Sequence, residues 1–158
     1  MFEIIKLDFC PLTLMRPSGT PSDEELAEAL RAITEFLEGE LRAQRRGVMI
    51  VDMSRAGALR AGQRRIASDW MKDNNHIYKH VAIGSALIIA SSIVRGVLTA
   101  LLWVSPIDMP YESCSNLDDA VRWAITRLEA ERLPVPARLR SELGNVFDAR
   151  PWKVVATR

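Results

Sequence analysis

Residues 81–106, VAIGSALIIASSIVRGVLTALLWVSP, are the stretch that most constrains what this chain can fold into. Residues 81–94 carry no charge, and neither do 96–106, but Arg95 divides them. A membrane-spanning helix wants about 20 predominantly apolar residues, and a charge near its centre is costly. The chemistry also changes halfway. Ala86-Leu87-Ile88-Ile89-Ala90 is a continuous apolar run, the pattern of a strand covered on both faces. Ser91 and Ser92 follow, and their hydroxyls suit a helix start. From Ile93 onward apolar residues go almost all round a helix, and Pro106 fits a stop beyond its end. A buried strand, a serine turn and a buried helix are therefore expected, with no membrane insertion.

The rest of the chain is arranged to cover this unit. The 158 residues suffice for one domain with a sizeable core. Hydrophobic residues at 48% and charged residues at 26% give an ordinary globular balance, and a net charge of +1 supplies no field for nucleic acid. The two cysteines, Cys10 and Cys114, do not suggest a disulfide framework, so reduced thiols and a cytoplasmic setting are expected. The N-terminal MFEIIKLDFC lacks the long apolar run of a secretory signal.

In chain order, Phe2–Asp8 reads as a strand and Pro11–Met15 as a second one pairing antiparallel through a turn near Cys10. Arg16–Pro21 is a turn-rich connector. Ser22 and Glu25 match a capping box, and Leu26, Leu30, Ile33, Leu37 and Leu41 make one apolar helical face, which Gly47 can close. Val48–Met53 is a buried strand. A helix over Leu59–Asn75 presents Ile66, Trp70 and Met71 to the core. Beyond the central stretch, Ile107–Cys114 is a weaker strand that Pro110 assigns to a sheet edge. Asn116 caps a last helix with Leu117, Val121, Ala124, Ile125 and Leu128 on one face. In the tail, Pro136–Leu143 suits a short helix and Trp152–Ala156 a strand. The order β-β-α-β-α-β-α-β-α implies an α/β domain over 1–132, a mostly parallel sheet flanked by helices, with 133–158 as a C-terminal tail.

That order, with Val51-Asp52-Met53-Ser54 ending the third strand, resembles the STAS domains, the SpoIIAA-like family of anti-sigma-factor antagonists and sulfate-transporter-associated modules. Asp52-Met53-Ser54 corresponds to the Asp-Leu-Ser common there. The resemblance implies a small non-catalytic module that regulates a protein partner by docking. In the family a Ser or Thr before a Gly opens the next helix and is phosphorylated. Here the matching stretch is Ala58-Leu59-Arg60-Ala61-Gly62, with no hydroxyl, so that switch is not expected.

Parallel sheets bind ligands and partners at the carboxyl ends of their strands. Ser54, Arg55 and Arg60 follow the third strand, and Ser91, Ser92 and Arg95 follow the fourth. Hydroxyls, arginines and free helix N–H groups suit a phosphate or carboxylate. The plainer reading is that the serines cap helices and the arginines pair with local acids. His76 and His80 lie near a helix end with no third ligand in sight, so no metal is expected. There is no Gly-x-Ser-x-Gly elbow, phosphate loop or dinucleotide fingerprint, and no cofactor is expected. The expectation is a non-enzymatic interaction module with a protein partner, self-association into a homodimer being compatible with it. The alternative is a binder of a small anionic or lipid-like ligand.

Overall fold

The structure is a computed structural model and describes residues 1–90, 96, 100 and 109–148, together with the backbone of 153–157. The chain is α/β with a mostly parallel sheet. In chain order come β1 (Phe2–Lys6), β2 (Leu12–Pro17), α1 (Asp23–Arg42), β3 (Gly47–Asp52), α2 (Ala61–Val81) and β4 (Ala82–Ile88). After the undescribed stretch follow β5 (Tyr111–Cys114), α3 (Leu117–Ala130), α4 (Ala137–Glu142), a 3-10 turn (Leu143–Phe147) and β6 (Lys153–Thr157). The sheet order is β5-β4-β3-β2-β1-β6. Strands β2 to β5 run parallel, and β1 pairs antiparallel with both β2 and β6.

Successive parallel strands step in one direction across the sheet, so right-handed crossovers put α1 and α2 on the same face. That face presents Phe2, Ile4, Met15 and Met49 to Ala29, Ile33 and Leu37 of α1 and to Ile77 and Val81 of α2. The other face presents Ile5, Leu12, Leu14, Val48, Ile50 and Ile88 to Val121, Ala124, Ile125 and Leu128 of α3. The period-2 alternation along β2 and β3 assigns each apolar residue to one face or the other. Leu139, Val146 and Phe147 lie in the same buried cluster as α3, so residues 137–147 pack on the domain, and β6 adds a strand to it.

Helix α1 begins as its sequence dictates. Ser22 Oγ accepts from the Glu25 N–H at 3.1 Å, and Glu25 Oε2 accepts from the Ser22 N–H at 2.6 Å. Those bonds hold the Glu25 carboxyl below its ordinary pKa. Leu41, expected on the apolar face, is 39% exposed, while Glu40 is buried. Glu40 accepts from Lys6 Nζ at 2.5 Å and from Arg45 Nη2 and Nε, at 2.7 and 3.0 Å. The expectation that Gly47 closes the helix is corrected, because it opens β3. A Cβ there would lie 2.4 Å from the Pro11 carbonyl oxygen, which accepts from the Val48 N–H.

Helix α2 departs further from expectation. It runs past Asn75 to Val81, and Val81 closes it instead of opening the strand. Ile66 is 43% exposed and is not a core residue. The inward row is Gln63, Trp70, Asn74, Ile77 and Val81, in which polar groups find partners. The Trp70 indole donates to Thr34 Oγ1 at 2.8 Å, and Asn74 donates to the Trp70 carbonyl at 2.9 Å. Strand β5 is at the sheet edge and starts just after Pro110. Ser91, Ser92, Arg95 and most of the helix expected from Ile93 lie outside the described residues.

Candidate functional site

The carboxyl ends of β2, β3 and β4 define one rim of the sheet, and α1 and α2 both begin there. Arg16 and Asp52 share a sheet face with Leu14 and Ile50, two residues further along each strand and one beyond the Met15 and Val51 pair. Arg16 Nε lies 3.3 Å from Asp52 Oδ2, with both side chains largely covered. The second oxygen, Oδ1, accepts from the Ser54 N–H at 3.0 Å. Asp52 thus turns the chain sharply as it leaves β3, an arrangement typical of Asp at turn starts.

Residues 54–57 are then fastened to the connector after β2. The Gly19 N–H donates to the Arg55 carbonyl at 2.9 Å, and the Gly57 N–H donates to the Gly19 carbonyl at 2.8 Å. Gly19 and Ala56 form a parallel bridge. Gly19 has φ +71, which a side chain would strain. Gly57 is needed for another reason, since a Cβ there would lie 2.1 Å from Thr20 Oγ1 and 2.9 Å from the Thr20 backbone nitrogen.

Beneath this loop a buried amide joins the two helix starts. Gln63, 1% exposed, accepts from the Arg60 N–H at 3.0 Å. Its Nε2 donates to the Pro21 carbonyl and to Asp23 Oδ1, each at 2.9 Å. Arg60 reaches across to the same Asp23 oxygen at 3.3 Å, an exposed pair of little energetic weight. Arg64 Nη1 donates to the Leu59 carbonyl at 2.8 Å.

Of the six residues expected at the site, the structure brings Ser54, Arg55 and Arg60 together at this rim. Ser54 is exposed, and its N–H is held by Asp52. Arg60 is the residue before α2 and is engaged with Asp23. Arg55 is exposed, and among the described residues its side chain has no hydrogen-bond or ion-pair partner. Ser91, Ser92 and Arg95 lie outside the described residues. The stretch Ala58–Gly62 leads into α2 without a hydroxyl. Arg42, Arg45 and Arg46 are at the opposite end of β3, each paired with a glutamate: Glu38, Glu40 and Glu131.

Sequence reasoning passed over Gln63, Arg16 and Asp23, which build the rim. One signal for Gln63 was present, because it stands three residues after the helix-preceding Arg60, the spacing of a capping box. A small cleft adjoins the rim, lined by Met1, Phe2, Ser18, Pro21, Glu25, Leu26 and Ala29. Burial pushes the Cys10 thiol up to about 11, and burial with nearby Glu112 and Asp119 raises Cys114 as well. Neither is poised as a nucleophile. Among the described residues no three His, Cys, Asp or Glu side chains converge as metal ligands, and no helix is long and apolar enough to cross a membrane. No family model matches the chain, and no curated protein or solved structure shows significant similarity to it.

Proposed function

We propose that this chain is a non-enzymatic, STAS-type regulatory module that docks a protein partner through the rim around Arg55. The observation that carries the reading is the combination of a fixed loop and an unengaged cation. Backbone bonds from Gly19 and Gly57, with the Asp52 turn, hold residues 54–57 in place, while the exposed Arg55 side chain has no partner among the described residues. A pre-set loop loses little conformational freedom on binding, and an exposed arginine recognises a carboxylate with two donors. The β-β-α-β-α-β order through Ile88 and the position of Asp52 at the end of β3 support the STAS comparison. The missing hydroxyl at Ala58–Gly62 assigns regulation to something other than phosphorylation of that segment. Capture from native extract, with wild type and Arg55→Glu as parallel baits, tests the reading. A partner held by wild type and lost from the folded variant supports it. A partner held equally by both removes the rim from the interaction.

A second reading, a binder of a small anionic or lipid-like ligand, draws on the apolar cleft of Phe2, Pro21, Leu26 and Ala29 beside the same rim. Thermal-shift screening with nucleotides and single-chain lipids distinguishes it, because a ligand selective for the folded state raises Tm with saturation.

A further inference from the structure

The geometry points to a divalent-metal chelate on the outer face of α2, formed by His76 and His80. The extension of α2 to Val81 places both histidines on one continuous helix, four residues apart. Such positions are neighbours on a helix surface, with Cβ atoms about 5–6 Å apart, which lets two imidazoles reach one ion. Ile77 and Val81 are buried against the sheet, so the helix turns His76 and His80 outward, and both are exposed.

A second observation concerns the ring of His80. Its Nδ1 lies 2.7 Å from the His76 carbonyl oxygen. Facing an acceptor, Nδ1 carries the proton and donates. The neutral ring then has its lone pair on Nε2, directed away from the backbone. A ligating histidine characteristically donates its other nitrogen to a carbonyl or carboxylate in this way. The bond also fixes the ring over the turn that begins at His76. His80 is therefore preset as an Nε2 ligand, and His76 has only to choose a rotamer.

Two imidazoles with no third converging side chain leave the remaining positions to water or to another molecule's donor. Borderline ions that favour nitrogen, namely Cu2+, Ni2+ and Zn2+, suit this set, with Cu2+ the tightest in the usual order. Hard ions such as Mg2+ and Ca2+, which want oxygen, do not. Lys72, Asp73 and Lys79 are the charged residues within about a turn of the pair along the helix. His76 is 16 residues beyond Arg60, roughly 24 Å along a helix rising about 1.5 Å per residue, so this site is separate from the rim.

The test uses the untagged full chain and Cu2+ alone, followed by titration calorimetry and electron paramagnetic resonance. One ion binds per chain with a two-nitrogen signature. His76→Gln and His80→Gln each weaken binding roughly tenfold or more, because losing one donor of a chelate removes its effective-concentration gain. The double variant loses this site. Both positions are exposed, so circular dichroism should show these variants folded. Equal binding by the double variant overturns the proposal. So do single variants that each halve the stoichiometry at unchanged affinity, since that marks two independent ligands.

Discussion

Replacing Gln63 separates the architecture of the rim from simple packing. The side chain makes three hydrogen bonds: one accepted from the Arg60 N–H and two donated, to Pro21 and Asp23. A protein hydrogen bond contributes about 1 kcal/mol net, and an abandoned buried donor or acceptor costs more than that. Asp23 is 71% exposed at its side chain and can turn to water, so its bond counts least. Gln63→Leu keeps most of the volume while deleting every bond, so it should cost about 2–3 kcal/mol. Gln63→Ala adds an unfilled space and should cost more. Urea unfolding at neutral pH measures both, and a change in midpoint at constant slope shows that stability alone has moved. Hydrogen exchange at Gly19 and Gly57 should quicken in both variants, because their bonds depend on the two helix starts staying together. A Gln63→Leu loss below ~0.5 kcal/mol, within the range of ordinary surface substitutions, would refute the claim that this amide ties α1 to α2.

Other outcomes follow from the same geometry. Gly57→Ala drives a Cβ against Thr20 and should destabilise by about 1–3 kcal/mol, read by thermal melting, whereas Gly62→Ala, with open space around it, should not. Burial would raise the Glu40 carboxyl, but hydrogen bonds and charge from Arg45 and Lys6 outweigh it and hold its pKa below the ordinary glutamate range. A depressed folded-state pKa gives stability that is present above the unfolded value and lost as pH falls through the folded one. Glu40→Gln should therefore lower stability at pH 7 and flatten the loss of stability below about pH 4.5 in an acid titration. Because burial raises both thiols, Cys10 and Cys114 should resist alkylation in the native protein at pH 8 and react at the rate of unfolding. Prompt labelling of Cys10 under native conditions would contradict its placement in the core.

Much of the framework was legible because local signals agreed with tertiary structure. Ser22 and Glu25 announced α1, and both bonds of that box form. The apolar runs before Asp52 and Ile88 became the central parallel strands, and Pro110 marked the edge strand. The inward face of α2 was missed for a definite reason. Periodicity seeks apolar residues, so Ile66 was favoured over Gln63, yet Gln63 can be buried because three polar groups complete its amide. Glu40 escaped notice likewise, since Lys6 and Arg45, which neutralise it, come from β1 and from the turn after α1. Gly47 looked like a helix stop, but the decisive contact is with the Pro11 carbonyl, distant in sequence. Within the site, Ser54, Arg55 and Arg60 were legible from the strand-end rule. The Arg16–Asp52 pair and the Gly19 bridge depend on strand register, which local pattern does not encode.

The central claim, that Arg55 on a fixed rim engages a protein partner, is tested most directly by affinity. The partner captured by wild type should be titrated against wild type, Arg55→Glu and Lys72→Glu, the last an exposed cation on α2 outside the rim. The account predicts binding by Arg55→Glu at least ~10-fold weaker, equivalent to about 1.4 kcal/mol, and binding by Lys72→Glu close to wild type. Equal affinities for wild type and Arg55→Glu, or a loss shared by Lys72→Glu, would contradict it.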